Sequence, residues 1–202
     1  MNNLTFKQYR NIDLSIFALL LVISEAITTV ATNVWFDAQP VAISTTLVFI
    51  CIVMMRWSFG ALIPACVGGL VFCIASGANP EQYLVYVIGN CAALSAMIWF
   101  KIWDKDKIRG SYFKTFVFAT GAYVAMQLGR WLLSLPFNAR LDTLLVYLLT
   151  DIISLLFTVV VMMIMRNTEG MLEDQKEYLF RLQREREAKA QSTVDEYGGY
   201  AQ

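Results

Sequence analysis

Histidine is missing from this 202-residue chain, and charged residues are scarce, at 16% of the total. The absence of histidine removes the commonest general base and the commonest metal ligand. The sequence contains no GxxxxGK[ST] segment for binding ATP phosphates, no GxSxG segment and no CxxC spacing among its four cysteines. We therefore expect a protein that is not an enzyme and that holds neither an organic cofactor nor a metal.

The charges that are present balance, with 16 basic and 16 acidic residues. This balance gives no basis for a nucleic-acid partner, which would favour a basic chain. The charges are also unevenly placed, because they concentrate near the N-terminus, around residues 101–114 and after Met165. Long apolar blocks separated by short polar breaks are typical of a protein embedded in the lipid bilayer.

Six apolar segments predict an all-α, polytopic membrane domain over residues 1–166. They run approximately over residues 13–33, 40–55, 59–78, 81–103, 112–135 and 141–165. The second segment is short for a membrane span, so we expect little tilt or a partly irregular backbone there.

The loops between these segments predict the topology. Basic residues gather in the N-terminal segment, in the loop at Arg56, in the loop 101–114 and in the C-terminal tail, which all fall on one side. The positive-inside rule then places both termini in the cytoplasm, and an even number of spans agrees with this. We expect a multi-pass protein of the bacterial cytoplasmic membrane.

The character of the chain changes after residue 166. Apolar residues recur at helical spacing among many charges over residues 167–192, which predicts a cytoplasmic amphipathic helix. Four interpretations stay open: a solvated helix, a dock for a partner subunit, a helix lying in the membrane interface, and a truncated signalling coil. Residues 193–202 are predicted to form a disordered tail.

Polar residues inside the apolar segments are the candidate ligand-binding groups, because such residues are costly in lipid and face the protein interior. Counted along the predicted spans, five of them fall at similar depth in the outer half of the membrane: Glu25, Asn90, Gln127, Arg130 and Asp151. They predict a polar chamber for a substrate. The alternative is scaffolding, in which Arg130 reaches the head groups or pairs with an acid and Asn90 joins two helices.

Aromatic residues lie near the predicted outer ends of the spans. Trp35 and Phe36 precede Asp37 in the first outer loop, and Trp131 lies near the end of the fifth span. Such aromatics either form the interfacial belt or cover the chamber, where flat rings stack on a flat ligand. We include these three aromatics among the candidate substrate-binding residues.

The segment 56–77 is rich in small residues, which allow helices to approach closely in lipid. Its pattern runs from Phe59-Gly60-Ala61 through Gly68-Gly69 to Gly77. Together with six short spans, this pattern resembles the substrate-binding S component of an energy-coupling factor (ECF) vitamin transporter. The resemblance covers approximately residues 13–166. The segment itself holds almost no polar group for a ligand, so we expect it to be a wall against which the other spans pack.

The resemblance implies a six-helix subunit that captures a vitamin-like molecule from outside. It also implies partners, namely a transmembrane T component and two cytoplasmic ATPase subunits. In the family, small residues on the first helix dock on the T component, and the corresponding positions here are Ser15, Ala18, Val22 and Ala26. Val22 departs from the small residue of the pattern, and the C-terminal helix is longer than a minimal S component needs.

Two other functions remain open. The charged helix after residue 166 is also typical of a membrane sensor that signals through a C-terminal helix. A membrane scaffold of the MreD type has comparable size and apolar content. For a binding subunit, two acids against one arginine favour a cationic or zwitterionic ligand held by charge-assisted hydrogen bonds.

Overall fold

The computed structural model describes residues 5–36, 41–168, 170–182 and 184, and all regular structure in these ranges is helical. In chain order, the helices are α1 (Phe6–Trp35), α2 (Thr46–Trp57), α3 (Leu62–Ser76), α4 (Pro80–Tyr83), α5 (Ile98–Trp103), α6 (Lys105–Gly110), α7 (Tyr112–Ser134), α8 (Leu141–Thr150) and α9 (Ile152–Met165). A π-helical turn (Leu84–Ile88) and a 3-10 segment (Asn90–Met97) join α4 to α5, so that Pro80–Trp103 is one long helix with changing winding. The predicted all-α class is confirmed for the described residues.

Three helical stretches are long and apolar enough to cross a membrane: Phe6–Trp35, Thr46–Ser76 and Pro80–Trp103. Helices α8 and α9 form a fourth such stretch, although they are bent by 47° at Asp151. Helix α7 is a single helix of 23 residues, but it has no continuous part as apolar as these stretches. These stretches suggest a membrane-embedded protein, and the crossing by all six predicted spans stays a prediction.

The stretch Thr46–Ser76 is not one straight helix, because the chain reverses direction between α2 and α3. A Cβ atom added to Gly68 in α3 would overlap the side chain of Thr46, the first residue of α2. Two positions 22 residues apart in one straight helix would be separated by about 33 Å, so this contact requires a hairpin. The reversal occurs at Ser58, whose backbone has φ 49° and ψ −107°.

Helix α2 is the centre of the bundle. Ten of its twelve residues are buried, and its neighbours include α1, α3, α7 and α9. At about 18 Å it is shorter than the roughly 30 Å hydrocarbon core of a bilayer. The predicted second span begins later than expected, at Thr46, and residues 41–45 before it form no regular structure. The expectation of a partly irregular backbone in this span agrees with that segment.

The outside of the bundle is apolar and the inside contains polar groups. Large apolar side chains are exposed along α1, α7, α8 and α9, among them Leu19, Ile27, Phe113, Leu132, Leu149 and Leu156. Buried polar residues include Glu25, Asn90, Gln127, Arg130, Asp151 and Ser154. This distribution is the one expected when lipid is the surrounding solvent.

One end of the bundle, here called the base, joins the first and last parts of the chain. The base consists of Asp13 on α1, Arg56 at the end of α2, and the segment 170–175. Residues 166–168 and 170–173 form turns and bends, with Gly170 at φ 75°, and the helix that follows covers residues 175–182. The break near Gly170 thus separates this helix from α9. Residues 185–202, which include all of the predicted tail and the end of the predicted amphipathic helix, lie outside the described residues.

Close packing of α7 against the segment Asn90–Met97 gives the first testable prediction. A Cβ atom on Gly129 would lie 2.7 Å from the carbonyl oxygen of Gly89 and would overlap Ala92. Because this contact involves backbone that cannot rotate away, we expect Gly129→Ala to lower the free energy of unfolding by about 1–3 kcal/mol. Thermal unfolding of the purified protein in detergent measures the change.

The matched control for Gly129 is Gly110, where an added Cβ atom meets nothing within 4 Å. We expect Gly110→Ala to change the free energy of unfolding by at most about 0.5 kcal/mol. Equal effects of the two substitutions would contradict the close approach of the two helices at Gly129.

Candidate functional site

A buried polar network lies around Arg130 in the half of the bundle away from the base. The Arg130 guanidinium donates from Nε to Asn90 Oδ1 at 2.8 Å and from Nη1 to Gln127 Oε1 at 3.1 Å. Nη1 also donates to Asp151 Oδ2 at 2.9 Å, which forms a salt bridge with both side chains 5% exposed. Gln127 Nε2 donates to the same carboxylate oxygen at 2.9 Å. Four of the five predicted chamber residues therefore form one cluster.

The elements that carry this cluster are irregular where the cluster residues lie. Asp151 occupies the break between α8 and α9, where its backbone leaves the helical conformation. Asn90 follows the π-helical turn Leu84–Ile88 and begins the 3-10 segment. Winding changes of this kind are frequent at functional sites and hinges. The cluster thus lies where two helices depart from regular α-helix.

A small cavity of about 20 Å³ adjoins the cluster. Its lining consists of the two charged residues Arg130 and Asp151, the aromatic residues Phe72, Tyr86 and Tyr147, and the smaller residues Ala42, Ser44 and Thr150. The Arg130 guanidinium carbon lies 4.8 Å from the centre of the Tyr86 ring, within cation–π range. This volume is enough for about one water molecule.

Asp151 Oδ1 is buried and has no hydrogen-bond partner among the described residues. A buried carboxylate oxygen without a partner is costly, and it is a natural acceptor for a water or a ligand donor group. Among the described residues, the cluster therefore contains one buried acceptor that lacks a hydrogen-bond donor.

Glu25, the fifth predicted chamber residue, lies at a different place. Its Oε2 accepts hydrogen bonds from the backbone N–H groups of Thr45 and Thr46 at 2.7 and 3.0 Å, and from Thr45 Oγ1 at 2.9 Å. Within the described chain, Glu25 makes no hydrogen bond to Arg130. Glu25 thus caps the positive end of the α2 dipole from a neighbouring helix, as an anion at a helix N-terminus does.

This cap leads to the second prediction. We expect Glu25→Ala to lower the free energy of unfolding by about 2–3 kcal/mol, because it leaves buried N–H groups without an acceptor. Glu25→Gln keeps an oxygen acceptor but loses the charge at the helix end, so we expect a loss of about 1 kcal/mol. Thermal unfolding in detergent measures both variants. The exposed Glu81, as Glu81→Gln, is the control, and equal stability of all three variants would contradict the cap.

The predicted aromatic lid is not assembled around the cavity. Trp35 is 76% exposed, and Phe36 is half-buried and does not line the cavity. Trp131 donates from Nε1 to the carbonyl oxygen of Arg140 at 3.0 Å, so it packs on the loop before α8. Residues 37–40, which follow Phe36 in the first outer loop, lie outside the described residues.

The predicted docking positions lie on α1. Ser15 and Val22 are exposed, and Ala18 and Ala26 are half-buried, so these positions are not part of the buried core. The buried side of α1 is formed instead by Leu14, Leu21, Glu25, Thr29 and Thr32.

Sequence reasoning missed several residues around the cavity. Tyr86 and Tyr147 each lie four positions before a predicted residue, Asn90 and Asp151, so both occupy the same side of their helix as that residue. That spacing was a usable signal. Phe72 and Ser44 are distant in sequence from the cluster and offered no such signal. Within the described ranges, no group of three or more Cys, Asp or Glu side chains has the arrangement to hold a metal ion.

No protein-family model matches this chain, and comparison with curated proteins and with solved structures finds no match. The resemblance to S components therefore depends on the sequence pattern of the segment 56–77 and on the number of spans.

Proposed function

We propose that this protein is the substrate-binding S component of an ECF-type importer in the bacterial cytoplasmic membrane. The observation that carries the proposal is the buried Arg130–Asp151 cluster beside an aromatic cavity, inside a bundle whose outside is apolar. Ionisable groups at such depth are costly and mark ligand pathways more often than packing. The unpartnered Asp151 Oδ1 and the irregular helices around it support a ligand over a purely structural role.

The charges of the cluster also restrict the class of ligand that we expect. With Glu25 engaged at α2, the cavity contains one cation and one anion, so its formal charges cancel. A neutral or zwitterionic molecule fits this balance better than a cation, because it leaves no buried charge unpaired. The rings of Phe72, Tyr86 and Tyr147 offer faces for a planar group. A cavity of about 20 Å³ is far smaller than a vitamin, so binding requires α8 or Pro80–Trp103 to move.

The remaining parts of the proposal follow from the sequence. Six spans with both termini in the cytoplasm place the cluster in the outer half of the membrane, as capture from outside requires. The sequence contains no ATP-binding motif, so the energy for import comes from a T component and two ATPase subunits. The exposed positions on α1, Ser15 and Val22 with Ala18 and Ala26 beside them, form the docking face for the T component.

Native mass spectrometry of the protein purified from its own host tests this proposal. We expect a bound small molecule that is lost in Arg130→Gln and Asp151→Asn but retained in the outer, exposed control Glu81→Gln. Retention of the same molecule in both cluster variants would overturn the site. A protein that carries no small molecule and co-purifies with no ATPase would overturn the importer.

A second candidate function is a membrane sensor that signals through its C-terminal segment. The observation that favours it is the contact between this segment and the end of α2, where Arg56 Nη1 donates to the carbonyl oxygens of Gly170 and Met171. A sensor would dimerise through the C-terminal helix, whereas an S component would assemble with a T component. Crosslinking of the protein in its native membrane, followed by identification of the partner, separates the two. A scaffold of the MreD type would show neither a bound molecule nor these partners.

A further inference from the structure

The segment 170–175 is bound to the bundle by charged and buried contacts. The Arg56 guanidinium donates to the carbonyl oxygens of Gly170 at 2.8 Å and Met171 at 3.1 Å. Leu172 is 1% exposed and belongs to the same apolar core as α2. The segment is part of the core, because its carbonyl oxygens accept hydrogen bonds from a buried arginine and its leucine is buried.

A second connection runs through the start of α6. The Lys105 ammonium lies 2.8 Å from Ser58 Oγ, at the turn that ends α2, and 2.6 Å from the Asp174 carboxylate. Lys105 thus joins the C-terminal segment to the reversal between α2 and α3. Because Ser58 has an unusual backbone conformation, this turn depends on the contacts around it.

The other end of α2 reaches the cluster. Ser44, just before α2, donates its backbone N–H to Ser154 Oγ at 2.8 Å. Ser154 lies in α9, three residues after Asp151. Ser44 also lines the cavity. From Arg56 to Thr46 the helix is about 15 Å long, so one short rigid element connects the segment at the base with the cavity.

Helix α1 holds α2 at both ends. Asp13 makes a bidentate salt bridge with Arg56, with distances of 3.0 Å to Nε and 2.8 Å to Nη2, and Glu25 caps the start of α2. The segment 170–175 adds further contacts at the Arg56 end only. A change at that end can be passed along a short, buried helix, because packed elements shift between discrete arrangements.

We propose that the segment 170–175 locks α2 in its place, so that detaching the segment loosens α2 along its length, including its start beside the cavity. The segment is then a control element: whatever binds or pulls the C-terminal helix changes the region around Asp151. This inference goes beyond the proposed function, because it requires no ligand and applies equally to a sensor.

The test measures how fast cysteines on α2 react with a maleimide in the full-length protein in lipid nanodiscs. The detached variant combines Leu172→Ala with Lys105→Gln, and the control variant is Lys107→Gln, whose side chain is exposed. The first reporter is the native Cys51, which is fully buried on α2, with the other three cysteines replaced by alanine. The second reporter is Ser44→Cys with all four native cysteines replaced by alanine.

Truncation of the buried Leu172 side chain destabilises the contact between the segment and the bundle, which makes local opening around α2 more frequent. We therefore expect both reporters to react at least about tenfold faster in the detached variant. The control variant should react at the original rate. A third reporter, the buried native Cys73 on α3 as the only cysteine, should be unchanged. The proposal is overturned if the Ser44→Cys reporter reacts no faster in the detached variant than in the original protein. Equal acceleration at Cys73 also overturns it, because the segment would then support the whole bundle and not α2 in particular.

Discussion

Replacing Arg130 with methionine is expected to lower the free energy of unfolding by about 3–5 kcal/mol. The substitution leaves the Asp151 carboxylate buried without its cation, and it removes the donor to Asn90 and Gln127. A buried charge without a partner carries its full desolvation cost. Thermal unfolding in detergent measures the loss, and Lys107→Met, at a salt bridge that is mostly exposed, should change stability by at most about 0.5 kcal/mol.

A double variant separates the structural role of this pair from its role in binding. Arg130→Met with Asp151→Leu removes both charges, and we expect it to recover most of the stability lost in Arg130→Met. If the pair binds a ligand, the double variant stays folded but loses the bound molecule. A double variant that is stable and keeps the molecule would show that the pair is only part of the scaffold.

Arg56→Met, at the other end of the bundle, is expected to lower the free energy of unfolding by a similar amount, about 3–5 kcal/mol. Arg56 is 6% exposed and satisfies both oxygens of Asp13 as well as two backbone carbonyls. Its loss leaves the Asp13 carboxylate with Trp57 Nε1 as its remaining partner among the described residues.

Arg56→Lys provides the internal comparison. A lysine ammonium does not reproduce the fork of donors that contacts a carboxylate at two points. We therefore expect the free energy of unfolding of Arg56→Lys to lie between those of the wild-type protein and Arg56→Met. Thermal unfolding in detergent measures the three proteins together. If Arg56→Lys matched wild type, a charge alone would suffice and the bidentate geometry would contribute nothing.

The sequence predicted much of the cluster before its geometry was known. Asn90, Gln127, Arg130 and Asp151 were chosen because polar residues in apolar helices face inward and because their depths matched. Depth follows from counting residues at 1.5 Å each along a helix, which needs no tertiary structure. For that reason the sequence was sufficient to predict that these four residues, on three helical stretches, lie close together.

Glu25 shows where this reasoning stops. Its predicted depth was similar, but depth does not specify the direction in which a side chain points around the bundle. Glu25 lies on the buried side of α1, where it contacts the N-terminus of α2 and not the cluster. The start of α2 at Thr46, about six residues later than predicted, created the helix end that this carboxylate caps. A capping partner 20 residues away is not visible in a sequence pattern.

The apolar segment from 56 to 77, with its small residues, was predicted to be a packed wall, and α3 does pack closely on its neighbours, with Thr46 against Gly68. In the tertiary structure the centre of the bundle is α2, because only the arrangement of the surrounding helices decides which apolar helix is enclosed on all sides. All apolar segments are equally compatible with lipid, so hydropathy does not rank them by burial.

The sequence by itself determined the helical class, the apolar surface suited to a membrane and the polar residues that turn inward, since each follows from composition and helical period. Only the tertiary structure decided that α2 and α3 form a hairpin, that Glu25 caps a helix, and that the C-terminal segment is bound to Arg56. These features depend on contacts between residues far apart in the chain, which local patterns do not encode.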